Sequence, residues 1–340
     1  MAVILLRLIA LLAVLLIAWA VPELARRLGV VDPAKAFWLA VATPLVGAHF
    51  ISGGHNDALM VAGVLTGLVL ALRGRFAIAC LVLALAAMVK VTALVVVPFI
   101  ALLWAARRVE LEPGAEALRW AGIVRAGVLA VIATAAPVLV VSLVSRLGFA
   151  WLNPASTPGK NEQWTSLPTG LGMAVGAAGH LLGHEEWRDA GISVARTLAL
   201  GVMVLVLVLL WLTTARQARD QVRVVRAAGL ALLFVVVLAP AFLGWYYLWF
   251  LPILAVTVSP ETRRPVITGL AVIATILCFA QLPDGYSLGL TTTVIGVPIV
   301  LVVTALLVRA AWRWARRTDW RHLLVLAGPG VEPSMTGRPD

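Results

Sequence analysis

The chain is 340 residues long, 62% of them apolar and only 13% charged, with a formal net charge of +11. Soluble domains contain about 45–50% apolar and about 25% charged residues, so this composition excludes a water-soluble enzyme, a disordered chain and a nucleic-acid-binding domain. The excess of apolar side chains predicts a polytopic membrane protein that uses lipid as its solvent.

Apolar runs of about the 20 residues needed to cross a bilayer recur along the chain. They predict an all-α bundle of ten or eleven spans, depending on whether Lys90 kinks one helix or separates two. The predicted spans cover residues 2–21, 37–52, 58–72, 76–89, 91–106, 121–145, 192–213, 227–240, 243–258, 265–282 and 291–308. Residues 1–312 then form a transmembrane region with one long extracytoplasmic loop at 147–191, and residues 313–340 form a basic, disordered cytoplasmic tail.

Arginines gather in six connections between these runs, which is the pattern of cytoplasmic loops. The clusters are Arg26–Arg27, Arg73 with Arg75, Arg107–Arg108, Arg216 to Arg226, Arg263–Arg264 and Arg313 to Arg321. All six lie on one side of the membrane only if residues 76–106 form a hairpin that turns at Lys90. The N-terminus is then extracytoplasmic, which favours further helices upstream of Met1.

This orientation places most of the remaining polar residues on the extracytoplasmic side. The segments concerned are 48–57, Lys90, 147–191, 240–247 and 282–287, and they contain four of the five histidines. A functional site is therefore predicted on that side.

The sequence Gly53-Gly54-His55-Asn56-Asp57 opens the third run. An ionised aspartate costs roughly 2.5–3.5 kcal/mol at the centre of a membrane helix, so Asp57 is expected at an interface or in a wet cavity. One interpretation is structural, with Asn56 capping the helix and Asp57 complementing its dipole. The other is that His55, Asn56 and Asp57 bind a sugar or a metal, although one histidine and one aspartate are few ligands for a metal.

Isolated basic residues at predicted outer helix ends are candidates to bind a lipid phosphate. Lys90 interrupts an apolar stretch, and its ammonium group either pairs with a phosphate or extends to the headgroup region. Arg146 and Arg196 flank the long loop and either hold a phosphate or contact headgroups.

Aromatic and amide side chains, which bind sugars by stacking and hydrogen bonding, are concentrated in two outer segments. The candidates are Trp151, Lys160, Asn161 and Trp164 in the long loop, and Trp245 and Tyr246 after Pro240. The alternative for each aromatic residue is the interfacial belt found in many membrane proteins. Small-xxx-small spacing of glycines from Gly170 to Gly183 predicts close helix packing or a re-entrant segment.

Several of these features occur together in one known family. The Gly53–Met60 motif follows Phe37-Trp38-Leu39, an alanine-rich helix ends at Lys90, and Pro240 precedes Trp245-Tyr246 and Leu248-Trp249. Over roughly residues 36–310 the chain resembles the actinobacterial polyprenol-phosphomannose-dependent α-1,6-mannosyltransferases of the GT-C superfamily. It departs from their pattern at Thr43-Pro44, where Asn-Pro is expected. Family members are longer and carry the catalytic aspartate in the first outer loop, so the chain looks N-terminally shortened.

The resemblance implies a multi-pass plasma-membrane hexosyltransferase that moves mannose from polyprenyl-phosphate-mannose to a lipid-linked mannan or glycolipid, such as lipomannan. It implies transfer at the extracytoplasmic face, without a cofactor. In the full-length enzymes the base is then expected to be the upstream aspartate, and within this chain Asp57 is the candidate base or substrate ligand, with His55 and Asn56 orienting sugar hydroxyls. Lys90, helped by Arg196 or Arg146, neutralises the phosphate. The alternatives are a multi-pass transporter and a non-catalytic membrane partner.

Overall fold

The computed structural model describes residues 2–111, 120–146, 148–149, 162–258 and 264–280, with scattered positions between 301 and 316. All regular secondary structure in these described residues is helical. The continuous α-helices are α1 (Ala2–Leu28), α2 (Pro33–Ala40), α3 (Asp57–Leu72), α4 (Phe76–Val89), α5 (Val97–Leu111), α6 (Trp120–Val144), α7 (Leu167–Leu182), α8 (Trp187–Ala215), α9 (Gln221–Leu238), α10 (Leu251–Thr257) and α11 (Arg264–Ala280). A π-helix covers Val46–Ser52, and 3₁₀ helices cover Val91–Val96 and Gly244–Trp249.

Several of these helices are long and apolar enough to cross a membrane, which confirms the all-α polytopic class. In the described part of the chain five segments qualify, namely Ile4–Leu28, Val91–Val109, Trp120–Val144, Trp187–Ala215 and Gln221–Leu238. The π-helix and α3 add a sixth if they form one broken span, because they meet at an angle of 109°. The larger number of crossings stays a prediction, and the predicted span at 291–308 lies mostly outside the described residues.

Two predicted spans are interrupted, and local sequence explains both breaks. The predicted helix at 37–52 is divided between α2 and the π-helix, because the residue before Pro44 is disfavoured in α conformation. The predicted helix at 243–258 is divided between the 3₁₀ helix Gly244–Trp249 and α10, which carries Pro252 in its first turn. Hydropathy alone does not distinguish such broken segments from continuous helices.

The chain reverses direction at Lys90, as the arginine pattern requires. α4 ends at Val89, and Lys90 is extended with φ −152° and ψ 117°. The rings of Phe76, at the start of α4, and Trp104, late in α5, stack with centroids 5.5 Å apart. Residues 76–106 therefore form the predicted hairpin, with Lys90 at one end and the arginine-bearing connections at the other.

The core lies between α3, α4, α9 and α10, whereas α6 and α8 expose most of their apolar side chains. Exposed apolar side chains on long helices suit contact with lipid, which supports the assignment as a membrane protein. The buried centre places the start of α3 beside the turn at Lys90 and the 3₁₀ helix Gly244–Trp249.

The long loop contains a helix, α7, that packs closely on α8. A Cβ added to Gly172 would lie 2.3 Å from the Ile192 Cα, and one added to Gly176 would lie 2.8 Å from the Arg188 Cα. Only glycine permits these distances, so the predicted close packing of the glycine stripe is confirmed.

Candidate active site

The candidate site is centred on an ion pair between a buried carboxylate and a partly buried ammonium group. Asp57 is the first residue of α3, and only 4% of its side chain is exposed. Its Oδ1 accepts a hydrogen bond from the Lys90 ammonium at 2.7 Å and another from the Trp249 indole Nε1 at 2.9 Å. A carboxylate removed from water needs such charged and polar donors, because desolvation without them is costly. Three distant segments of the chain therefore meet at one oxygen atom.

Lys90 points into the bundle and lies against aromatic rings. Its Nζ is 4.3 Å from the centroid of the Tyr246 ring and 4.7 Å from that of Trp249. The ring faces attract the cation and add to the ion pair with Asp57. The alternative that Lys90 extends to the headgroup region is wrong, because its side chain is only 24% exposed and is bound to Asp57.

The 3₁₀ helix Gly244–Trp249 forms an aromatic wall beside the pair. All six of its residues are buried, so the interfacial belt is the wrong interpretation for Trp245 and Tyr246. The Trp245 ring stacks on His55 with centroids 3.7 Å apart, and the Tyr246 and Trp249 rings lie 4.1 Å apart. The pair is therefore enclosed on this side by flat, mainly apolar surfaces.

The connection before α3 brings His55 to this wall. Gly54 has a φ of +63°, which glycine adopts without strain, and it turns the chain between the π-helix and α3. Asn56 occupies the N-cap position, but its side chain makes no capping hydrogen bond and is exposed. The predicted capping role of Asn56 is therefore wrong, while Asp57 does lie in the first turn, where the helix dipole favours an acid.

His49 lies behind His55 and was not among the predicted site residues. It is fully buried, and its ring centroid is 5.4 Å from Trp245 and 6.0 Å from His55. Within the described residues neither of its ring nitrogens has a hydrogen-bond partner. Trp249 was also missed as a ligand of Asp57, although it lies in the aromatic segment that the sequence singled out.

Arg196 reaches the segment that leads into the aromatic wall. Its Nε donates to Thr169 Oγ1 at 3.0 Å, and Thr169 Oγ1 donates to the Pro240 carbonyl at 2.6 Å. Ser166 Oγ donates to the Ala239 carbonyl at 2.8 Å. Arg196 thus helps to hold the start of α7 against the end of α9, and phosphate binding by Arg196 stays a prediction.

For the other predicted site residues the described structure gives no contact with the Asp57–Lys90 pair. Trp164 is half-buried and adjoins Thr165, whose hydroxyl donates to the Phe242 carbonyl at 3.2 Å. Arg146, just after α6, is exposed and has a φ of 57°. Trp151, Lys160 and Asn161 lie outside the described residues. In the part of the chain that is described, no three histidine, cysteine or acidic side chains come together as potential metal ligands.

Two family models match the chain, and each covers part of the candidate site. One, described as the N-terminal domain of α-(1→6)-mannopyranosyltransferases, matches residues 1–106, which include Asp57 and Lys90. The other, described as the MptB C-terminal domain, matches residues 168–317, which include the aromatic wall. No solved structure is detectably similar to the chain.

Proteins similar to the chain carry the same family name. An α-(1→6)-mannopyranosyltransferase A of Mycobacterium tuberculosis is 31% identical over 281 residues, which is 83% of this chain and 52% of the relative. A probable α-(1→6)-mannopyranosyltransferase of Mycolicibacterium smegmatis is 29% identical over 345 residues, 90% of this chain and 58% of the relative. The chain thus spans a little over half the length of these relatives. It belongs to the α-(1→6)-mannopyranosyltransferase family.

Proposed function

We propose that the chain forms a membrane mannosyltransferase that uses polyprenyl-phosphate-mannose as donor and a lipid-linked mannan or glycolipid as acceptor. Transfer creates an α-1,6 linkage at the extracytoplasmic face of the plasma membrane. The observation that carries this proposal is the pair of the buried Asp57 and the partly buried Lys90 against the aromatic wall. The names of the relatives support mannosyl transfer, and the ion pair supplies groups suited to that chemistry.

Lys90 is suited to the leaving group of such a donor. Breaking the bond between the mannosyl C1 and the phosphate oxygen leaves negative charge on the polyprenyl phosphate. An ammonium group in a water-poor setting stabilises that charge more strongly than it would in bulk water. Among the described residues Asp57 is the one carboxylate paired with Lys90, and the partial exposure of Lys90 allows it to bind a phosphate oxygen in place of Asp57.

Asp57 is suited to accept the proton of the attacking hydroxyl. The acceptor oxygen bonds to C1 as the phosphate leaves, so in-line attack on a β-linked donor gives an α-linked product. Lys90 and Trp249 both donate hydrogen bonds to Oδ1 of this carboxylate. Movement of Lys90 to the phosphate removes one of these hydrogen bonds, so that Oδ1 is open to the acceptor hydroxyl and can take its proton.

The neighbouring residues are suited to binding the sugars. His55 and the exposed Asn56 precede Asp57 directly and present polar groups to sugar hydroxyls. The rings of Trp245 and Tyr246 offer flat surfaces close to the pair. Trp151, Lys160, Asn161 and Trp164 of the long loop are further candidates to bind the sugars, and Arg196 supports the aromatic wall by donating to the Pro240 carbonyl.

The extracytoplasmic face is proposed from the position of the arginines. Arg73 caps the far end of α3, and the 16 residues of that helix correspond to about 24 Å. Arginine-rich connections mark the cytoplasmic side, so the opposite end of α3, with Asp57, faces outward.

A transporter remains the second candidate, because one observation favours it. The π-helix and α3 meet at 109°, with a buried acid at the break. Secondary transporters also bind substrates at such broken helices. The aromatic wall and the family membership support transfer instead, and the two functions differ in whether a covalent product forms.

Transfer is tested in membranes that contain the chain, with radiolabelled polyprenyl-phosphate-mannose as donor. We expect label in lipid-linked glycan, and at least a 100-fold lower rate for Asp57→Asn, since general base catalysis contributes about 10²–10⁴-fold. Asp189→Asn is the matched control, because the Asp189 side chain is 89% exposed on α8. Absence of transfer by the unmodified chain, or equal rates for Asp57→Asn and the control, would contradict the proposal. Uptake of labelled sugar into proteoliposomes without a covalent product would favour the transporter.

A further inference from the structure

A second group of charged residues surrounds a cavity at the arginine-bearing end of the bundle. The cavity has a volume of about 410 Å³. Of the described residues that line it, none is acidic and five are arginines, namely Arg27, Arg73, Arg75, Arg107 and Arg219. They come from the end of α1, the α3–α4 turn, the end of α5 and the α8–α9 connection. Four separate parts of the chain thus place arginine side chains on one concave surface.

Glu23 binds two of the arginines that line the cavity, Arg27 and Arg73. Glu23 Oε1 accepts hydrogen bonds from Arg27 Nε at 2.7 Å and from Arg73 at 2.8 Å, and Glu23 Oε2 accepts one from Arg26. One carboxylate is thus shared by three guanidinium groups. Arg75, Arg107 and Arg219 are exposed at the same cavity. Guanidinium groups on one concave surface give it a positive potential, which favours the binding of an anion.

We propose that this cavity binds a phosphate-bearing anion. Guanidinium groups match phosphate oxygens in bidentate geometry, and several of them around one concavity can bind the same phosphate. Basic pockets between transmembrane helices on the cytoplasmic side are suited to the headgroups of anionic phospholipids. Orientation by the positive-inside effect requires only that arginines occur in these loops, whereas here five of them line one cavity.

Two probes distinguish the sources of the phosphate. The purified full chain in detergent is titrated with cardiolipin, with phosphatidylcholine for comparison, and bound lipid is counted by native mass spectrometry. Inorganic phosphate is titrated separately by calorimetry. Binding of cardiolipin alone assigns the site to a lipid headgroup, and binding of both assigns it to phosphate groups in general. Binding of neither probe to the unmodified chain would overturn the proposal.

Paired variants test whether the cavity is the binding site. Arg75→Gln/Arg107→Gln is expected to bind the probe at least tenfold more weakly. Arg125→Gln/Arg188→Gln removes the same charge from exposed positions that do not line the cavity, and its affinity is expected to stay within twofold of the unmodified chain. Equal weakening by both pairs would contradict the assignment, because it would indicate a general effect of charge.

A measurement on the unmodified chain does not depend on how the variants fold. Phenylglyoxal modifies accessible arginines, and peptide mass spectrometry reports modification at each site. We expect cardiolipin or inorganic phosphate to protect Arg75 and Arg107 and to leave Arg125 as reactive as before. Unchanged modification of Arg75 and Arg107 would contradict the proposal. Neither readout needs mannosyl transfer, so the cavity and the proposed function can fail independently.

Discussion

The two ends of α3 differ in the number of charged side chains near them and in how far those side chains are removed from water. At its start, a buried acid and a partly buried lysine form an ion pair beside aromatic rings. At its far end, five arginines line an open cavity with one shared carboxylate nearby. The end with fewer charges has the environment suited to covalent chemistry, because burial strengthens each electrostatic interaction. The end with more charges has the environment suited to membrane orientation and to binding an anion.

The number of charged residues is therefore a poor guide to the reactive end of this molecule. Net charge is dominated by the arginine connections, which determine orientation. The candidate reactive group is found instead by asking which ionised side chain is removed from water and what stabilises it there. Among the described residues Asp57 meets this criterion, since it is the only acidic side chain among the buried polar and charged groups.

The largest expected effect concerns the sides of the membrane on which the two ends of α3 lie. In a background with Cys80→Ser and Cys278→Ser, single cysteines are placed at the exposed positions Asn56 and Arg75. A membrane-impermeant maleimide added to intact cells is expected to label Asn56→Cys almost completely and Arg75→Cys only after lysis. Labelling of both from outside, or the reverse pattern, would contradict the proposed orientation.

A smaller effect is expected from disturbing the close packing of α7 against α8. Gly172→Ala places a Cβ 2.3 Å from the Ile192 backbone and should lower the free energy of unfolding by about 1–3 kcal/mol or more. Thermal unfolding in detergent measures this change. Gly201→Ala on α8 is the matched control, because open space surrounds Gly201, and no loss of stability is expected. Equal melting temperatures for the two variants would contradict the described packing.

The smallest effect is expected from removing one of the hydrogen-bond donors that bind the Asp57 carboxylate. Trp249→Phe keeps an aromatic ring but deletes the indole N–H that binds Oδ1 at 2.9 Å. Lys90 still binds the carboxylate, so we expect a decrease in transfer rate of about tenfold, which corresponds to about 1.4 kcal/mol. Trp38→Phe on α2 is the control, since Trp38 is 63% exposed. An unchanged rate for Trp249→Phe would show that the indole donor is unimportant for transfer.

Much of the architecture around the site was predictable from sequence. The predicted helix at 76–89 coincides with α4, and the predicted start of α3 differs by one residue, because glycine, lysine and arginine residues interrupt the apolar runs there. The hairpin at Lys90 followed from requiring all arginine connections to lie on one side. The interrupted segments at 37–52 and 243–258 were less predictable, since hydropathy is the same for α-, π- and 3₁₀ helices.

The contacts within the site were not predictable from local patterns. Asp57 and Trp249 are 192 positions apart, and Asp57 and Lys90 are 33 apart, so only the packing of α3, α4 and the 3₁₀ helix Gly244–Trp249 joins them. The sequence placed Lys90 near a phosphate or in the headgroup region and did not pair it with Asp57. Likewise, it predicted a phosphate contact for Arg196 and not its bonds to Thr169 and Pro240.

The central claim is that the Asp57–Lys90 pair takes part in transfer as well as in folding. The most direct test measures mannosyl transfer and thermal stability for Asp57→Asn, Lys90→Met and the double variant. Removing one partner leaves a buried charge without its counter-ion, while removing both leaves an uncharged pair, so stability should recover in the double variant. We predict that in all three variants the rate of mannosyl transfer stays at least about 100-fold below that of the unmodified chain. Recovery of transfer together with stability in the double variant would contradict the account, because the pair would then serve the fold alone.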